Sequence, residues 1–444
     1  MRPLSGCSPY FLKDFKMTKF HIRPSKVQGT VAVPPSKSHT LRAILFAAMA
    51  KGESEIRHFL HSPDSTAMIE AMRAFGSKID IAPDHLRVQG VAGRLKAADN
   101  VIDSGNSGLV LRFAGALAAL CPSYTVITGD HSIRYSRPVK PLLDALSQLG
   151  AFAVSSRLNG YAPIIVKGAM QCGKAHLPGE DSQPISGLLI ACSLLQGQTI
   201  LEVSNPGEKP WIDLTLFWLK KFGISIEHQG YARYVIPGGA QIHGFKMEIP
   251  GDFSSAAFPI AAALVTDSEL TLTNIDRNDP QGDKKLIEIL QKMGAKITSD
   301  DKAKTLHIEK GSRLQGIRLD ANDFIDAVPI LSAIACYAEG TTEIFNAGIA
   351  RKKESDRLHA MATELKKMGA KIEEKPDGLI ISHSPLSGAH LESWRDHRIA
   401  MSLSIAALGA KNETVIEGAE AVSKTYPTFA HDFRAIGAAI EVVQ

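Results

Sequence analysis

Aromatic side chains are scarce, at 6% of the 444 residues, and charge is nearly balanced: 50 Lys+Arg face 46 Asp+Glu, for a net charge of +4. Together these weigh against a nucleic-acid-binding surface, which needs a strongly basic face with interleaved aromatics. Apolar runs such as Ala256–Val265 fall well short of the roughly 20 residues of a membrane span. The five cysteines (Cys7, Cys121, Cys172, Cys192, Cys336) are scattered, odd in number and form no C-x-x-C pair. That argues against a disulfide framework and a zinc site, and fits reduced thiols in the cytoplasm. The opening MRPLSGCSPYFLKDFKM has no continuous apolar core of a secretory signal. Hydrophobic patterning begins after Met17, so residues 1–16 are expected to be a disordered extension or the product of an upstream start. No P-loop, G-x-G-x-x-G, H-E-x-x-H or G-x-S-x-G motif occurs. What remains is a cytoplasmic globular protein with two to four domains expected from its length.

What is present is a repeat. An amphipathic helix, a glycine and a short strand recur as MRAFGSKID, LSQLGAFAV, LKKFGISIE, LQKMGAKIT, LKKMGAKIE and FRAIGAAIE. The glycines, Gly76, Gly150, Gly223, Gly294, Gly369 and Gly437, lie 68–75 residues apart. Glycine just past a helix is the expected left-handed cap. Each unit holds a second helix that is apolar nearly all round, such as SHTLRAILFAAMA or HRIAMSLSIAAL, and such a helix must be enclosed by other elements. The reading is six α/β units, three to each of two domains. The midpoint falls near Pro250–Asp252, and VQGTVAVPP, upstream of the first buried helix, is placed to pair with the other half.

Six polar turns precede the buried helices: PPSKSHTLR, DSGNSGLVLR, GEDSQPIS, GDFSS, ANDFIDA and WRDHR. A helix N-terminus exposes unpaired N–H groups and a partial positive charge, which suits anions. Plain N-capping also explains Ser, Asp and Asn there. It does not explain Lys37 with Arg42, or Asp396, His397 and Arg398 in succession. The run ARKKESDRL sets cations at a helix start, against its dipole, and local rules of this kind are broken mostly at sites. These features point to small polyanions bound between two halves.

PSKSHTLR, GNSGLVLR, SRPVKPLLDAL, KKESDRL, RDHRIAMS and SKTYP, in that order over Lys19–Gln444, closely resemble the enolpyruvyl transferase family, on the branch that takes shikimate 3-phosphate. The resemblance implies a two-domain inside-out α/β barrel, each domain built of three βαβαββ repeats. Domain I would comprise 17–33 plus 250–444, and domain II 34–249. It implies transfer of the enolpyruvyl group of phosphoenolpyruvate to the 5-hydroxyl of shikimate 3-phosphate with release of phosphate, in aromatic amino acid biosynthesis. It further implies no cofactor, no metal, no nucleic acid or membrane partner, and a monomer.

Residue by residue, the resemblance makes Asp326, Glu354 and Lys37 catalytic. It gives shikimate 3-phosphate to Lys37, Ser38, Arg42, Ser182, Gln183, Asp326 and Lys353. Phosphoenolpyruvate falls to Lys37, Gly108, Arg137, Gln183, Arg357, Arg398 and Lys424. Asn106, Ser107, Arg134, His397 and Asp181 complete the set. Spacing allows either Arg134 or Arg137 as the phosphoenolpyruvate ligand, with Arg137 preferred. Glu208 stands where many relatives have Ser, Trp211 where many have Tyr, and Leu109 and Phe113 where Thr and Pro are common. The sister branch, which takes UDP-N-acetylglucosamine, typically has a reactive Cys in the loop matching GDHSIRYSRP, which here has none. Cations on both sides of the midpoint are expected to repel across the cleft and to be drawn together by a bound polyanion.

Overall fold

Gly76, Gly150, Gly223, Gly294, Gly369 and Gly437 all adopt left-handed backbone, with φ between 76° and 104°, directly after an amphipathic helix. This conformation brings an L side chain's Cβ too close to the backbone, so glycine is the residue that ends a helix this way. The structure, a computed structural model, describes residues 18–444. The extension expected over 1–16 therefore lies outside the described residues.

The second unit shows the pattern. Ile102–Asp103 leads into the buried helix Gly108–Ala118, then strand Tyr124–Thr128, amphipathic helix Lys140–Gln148 and the hairpin Phe152–Ser155 with Ile164–Lys167. The first two strands run parallel, and the third and fourth form an antiparallel ladder. A parallel pair requires a crossover connection, which the buried helix supplies. Six four-stranded sheets of this kind are present, as the six-unit α/β reading expects. The buried helices are α1 (Lys37–Met49), α2 (Gly108–Ala118), α3 (Ser182–Ser193), α4 (Phe253–Val265), α5 (Val328–Ala335) and α6 (His397–Gly409). Every residue of α4 is buried, and α6 is buried over His397–Leu408. Each enclosed Leu or Ile contributes about 1.5–3 kcal/mol.

Three sheets borrow a strand from a distant part of the chain. Lys246–Glu248 runs parallel to Glu53–Arg57, Gly29–Ala32 parallel to Leu270–Thr273, and Lys19–Arg23 lies between Thr414–Glu417 and Ala439–Val443. VQGTVAVPP thus pairs with the later half. The apolar core divides accordingly, one cluster spanning Leu41–Ile249 and the other combining Phe20–Val33 with Phe253–Ile440. The chain passes between the halves twice, and the two passages are bonded side by side: Ser36 N–H donates to Pro250 O (2.8 Å) and Asp252 N–H to Pro34 O (2.9 Å).

One element differs from its sequence reading. The phrase IDAVPILSAIACYA opens not as α-helix but as a tight 3₁₀ turn, Ile325–Ala327, with α5 beginning at Val328. Pro329 has no N–H for the helical ladder and is tolerated only in the first turn. The turn carries Asp326. Among the described residues no helix is long and apolar enough to cross a membrane.

Gly223 has open space around a built Cβ, whereas at Gly294 that atom would lie 2.5 Å from Arg313 O. Gly223→Ala should therefore lose about 1–2 kcal/mol, the left-handed penalty alone, and Gly294→Ala clearly more. Urea unfolding midpoints measure both; equal losses would contradict the assignment.

Candidate active site

The N-termini of the buried helices from both halves converge on one polar cleft of about 840 Å³, including its open mouth. Ser36, Ser107, Asp181, Asp252 and Asp396 cap five of them through side-chain oxygens that accept backbone N–H bonds. Capping and site formation are thus the same turns: the caps hold the helix ends, and Lys37, Gly108, Ser182, His397 and Arg398 follow at once and line the cleft. Gly108 makes a close approach to the side chains of the cleft. A Cβ there would lie 2.8 Å from the guanidinium nitrogens of both Arg112 and Arg137, and 3.1 Å from Gln183 Oε1.

The cations meet carboxylates rather than one another. Glu354 Oε1 is 2.8 Å from Arg137 Nη2 and 2.8 Å from Lys424 Nζ, and its Oε2 accepts from Arg357 Nη2 at 2.9 Å. Asp326 accepts from Arg357 Nη1 (2.6 Å) and Arg398 Nη2 (3.0 Å). Asp396 accepts from Arg357 Nε at 2.8 Å, so one guanidinium serves three carboxylates. Lys353 Nζ reaches Glu208 Oε1 of the other half at 2.5 Å. Lys424 Nζ donates to Asn106 O at 2.6 Å and lies 3.8 Å from Asp64, and Lys37 Nζ lies 3.6 Å from Asp64. The expectation of bare cations repelling across the cleft is corrected: each side supplies carboxylates to the other's cations, and the halves are in contact through them.

Arg42 differs. Among the described residues its fork bonds only neutral acceptors, Ser38 O, Trp211 O and Thr215 Oγ1, and its guanidinium packs over the Phe113 ring. Burial pulls its pKa down to about 9. A buried cation whose partners are all neutral is an anion site by its electrostatics.

Burial alone would raise the carboxyls, yet Arg398, Arg357 and Lys353 outweigh it and hold Asp326 well below the usual range. Glu354 behaves alike: burial is overcome by Arg137, Lys424 and Arg357, so it is ionised. Burial lowers Lys424, with Asp64 and Glu354 opposing. His397 is neutral. Burial, reinforced by Arg398, Lys37 and Lys424, holds it well below the ordinary imidazole value, and neither ring nitrogen has a hydrogen-bond partner among the described residues.

Most residues named from the sequence line this cleft: Lys37, Ser38, Arg42, Gly108, Arg137, Asp181, Ser182, Gln183, Asp326, Lys353, Glu354, Arg357, His397, Arg398 and Lys424. Three stand apart. Arg134 lies in the short helix His131–Tyr135, its Nε turned back to Asp130 O and its guanidinium near Tyr135. Between the two candidates, the cleft takes Arg137. Ser107 spends its hydroxyl on Asp64 (3.0 Å) and on capping α2. Asn106 stands behind the lining and offers its carbonyl to Arg137 and Lys424.

Asp64, Arg112, Asp252 and Ser254 also line the site and were not singled out from the sequence. Arg112 carried a signal: SHTLR and GLVLR place Arg42 and Arg112 alike, and each donates to the carbonyl four residues back at 3.2 Å. Asp64 carried none, since in SPDST it reads as an ordinary first-turn acid.

A cleft that sets helix N-termini and buried guanidinium groups from two three-unit halves around paired carboxylates defines an α/β enzyme acting on small polyanions. A family model for EPSP synthase (3-phosphoshikimate 1-carboxyvinyltransferase) matches residues 22–433. The 3-phosphoshikimate 1-carboxyvinyltransferase of Acetivibrio thermocellus is 44% identical over 423 residues, covering 95% of this chain and 99% of its own length. That of Methanosarcina mazei is 42% identical over 427 residues, covering 95% and 98%. The solved EPSP synthase structure from Acinetobacter baumannii superposes with a TM-score of 0.80 at 31% identity, over 96% of this chain and all (100%) of that one. The chain belongs to the EPSP synthase family.

Asp283, buried beneath the cleft with Ser254, is pushed up to about 7 by burial and then by Asp326, against Arg398 and the Ser254 bond. An acid raised in the fold stabilises it fully below its unfolded value of 3.8 and loses that contribution as pH climbs to about 7. Asp283→Asn removes the loss. Its melting temperature relative to the parent should rise by at least about 3 °C between pH 5 and pH 8, the size of ~1 kcal/mol in a large domain. A pH-independent difference would refute the buried titration.

Proposed function

We propose that this cleft joins two anionic substrates by exchanging the partners of its buried ion pairs. The enzyme transfers the enolpyruvyl group of phosphoenolpyruvate to the 5-hydroxyl of shikimate 3-phosphate and releases phosphate. Phosphoenolpyruvate carries a carboxylate and a phosphate, and planar guanidinium forks match both bidentately. Arg137, Arg357, Arg398 and Lys424 receive it beside Gly108, where the absent Cβ leaves room. Arg42, Ser38, Ser182, Gln183 and Lys353 hold shikimate 3-phosphate, and Lys37, between the first helix and Asp64, serves both.

Carbon 2 of an enol phosphate is a poor electrophile, so C3 must gain a proton as the 5-hydroxyl oxygen attacks C2. The tetrahedral adduct then loses phosphate from C2, and C3 gives the proton back to restore the double bond. One base and one acid are needed. Asp326 takes the hydroxyl proton and Glu354 serves C3. As described, both are held ionised by cations, which suits neither a strong base nor a donor. Substrate anions entering among Arg137, Arg357, Arg398 and Lys424 offset those cations and raise both carboxyls, so activation follows from binding. His397, neutral and with both ring nitrogens unbonded among the described residues, lies beside this path.

The observation that carries the reading is Arg357 and Arg398 clamped on Asp326, with Glu354 on the adjoining Arg357 nitrogen. Phosphate release with phosphoenolpyruvate and shikimate 3-phosphate tests it; activity with UDP-N-acetylglucosamine alone would reject it. Asp326→Ala should lower turnover by about 10²–10⁴-fold, the range for losing a general base, with circular dichroism unchanged. Arg398→Lys, which keeps the charge but not the fork, should raise the KM for phosphoenolpyruvate at least about tenfold. Near-parental constants in both variants would remove these roles.

A further inference from the structure

Glu208 occupies the donors that the proposed reading gives to the acceptor's phosphate. Its Oε2 accepts from the backbone N–H (3.2 Å) and hydroxyl (3.4 Å) of Ser182, the first residue of α3. Its Oε1 accepts from Lys353 of the opposite half at 2.5 Å. The residue is 2% exposed, lines the cleft, and sits at φ 46°, ψ 37°, a left-handed backbone that residues with a Cβ seldom adopt. Glu208 precedes helix Lys209–Lys221, yet its side chain makes no cap to it. The carboxylate is therefore directed into the cleft and away from its own helix. A helix N-terminal N–H, a hydroxyl and an ammonium converging on one point form an oxyanion receptor, and here a side chain of the protein fills it.

We infer that Glu208 is an internal occupant of the acceptor-phosphate subsite and sets the enzyme's affinity for the phosphorylated acceptor. The inference rests on the reading that Ser182 and Lys353 bind that phosphate. The phosphate enters by displacing the carboxylate from both donors. With nearly two charges and three acceptor oxygens it wins the exchange, at an affinity lowered by the ion pair it breaks. Phosphoenolpyruvate, held by other cations, does not compete with Glu208. Shikimate without its phosphate leaves the Glu208–Lys353 pair intact and gains nothing from its removal.

Steady-state KM values for both substrates, in Glu208→Gln, Glu208→Ser and Ser182→Ala, decide the matter. Both Glu208 variants should lower the KM for shikimate 3-phosphate about tenfold, roughly the worth of one charge-assisted bond, and leave that for phosphoenolpyruvate within about twofold. The inhibition constant of unphosphorylated shikimate should not move. Ser182→Ala should raise the KM for shikimate 3-phosphate. If it does so while neither Glu208 variant lowers that KM, Glu208 is not a competitor and the inference is overturned. If Ser182→Ala leaves the KM unchanged, the subsite assignment itself is wrong and the inference falls with it. Two Glu208 variants of different size guard against a folding defect in one.

Discussion

Glu354 accepts from Arg137, Lys424 and Arg357 at once, and so ties Arg137 of one half to Arg357 and Lys424 of the other. The architecture depends on this kind of contact. Buried cations carry a desolvation cost that well-placed opposite charges offset, and in this cleft some of those charges come from the facing half: Glu354 for Arg137, Glu208 for Lys353 and Asp64 for Lys424. The contacts between the halves use the same charges that the proposed reading gives to the substrates. On the proposed reading, binding exchanges one set of anions for another and so would link recognition, the arrangement of the halves and the protonation of Asp326 and Glu354.

The repeat makes the cleft possible. Six units that each bury an apolar helix present six helix N-termini, and the closing strands Lys19–Arg23, Gly29–Ala32 and Lys246–Glu248 finish the sheets of two separate halves. Adjacent passages at Pro34–Ser36 and Pro250–Asp252 tether the halves at one edge, close to where α1 and α4 begin. Hydrophobic burial holds each half together, while polar contacts and two chain passages hold the pair. A cleft between bodies joined in that way can reorganise without disturbing either core.

Much of this was legible in the residues. Helix-capping glycines at a near-constant interval set the number of units, because left-handed backbone is a local property of one residue. Lys37, Arg398 and Ser182 could be picked out because they sit beside helix starts that are themselves local signals. Arg112 was within reach through its repeat partner Arg42. Asp64 was not, since its role arises only when the first helix of another unit and the SKTYP loop of the other half arrive beside it. Arg134 and Arg137 are three residues apart and chemically alike; a short helix turns the first outward and leaves the second facing Glu354.

Sequence alone determined the six-unit division, the buried helices and the family, because periodicity, capping and long motifs are encoded in neighbouring residues. Tertiary structure alone decided which charges meet. That Glu354 and Asp326 are ionised, that Arg42 is buried among neutral acceptors, and that Glu208 fills a donor site facing the cleft are all consequences of burial and of distances between residues far apart in the chain. Electrostatic energy depends on separation in space and on exclusion of water, and neither quantity is written along the chain.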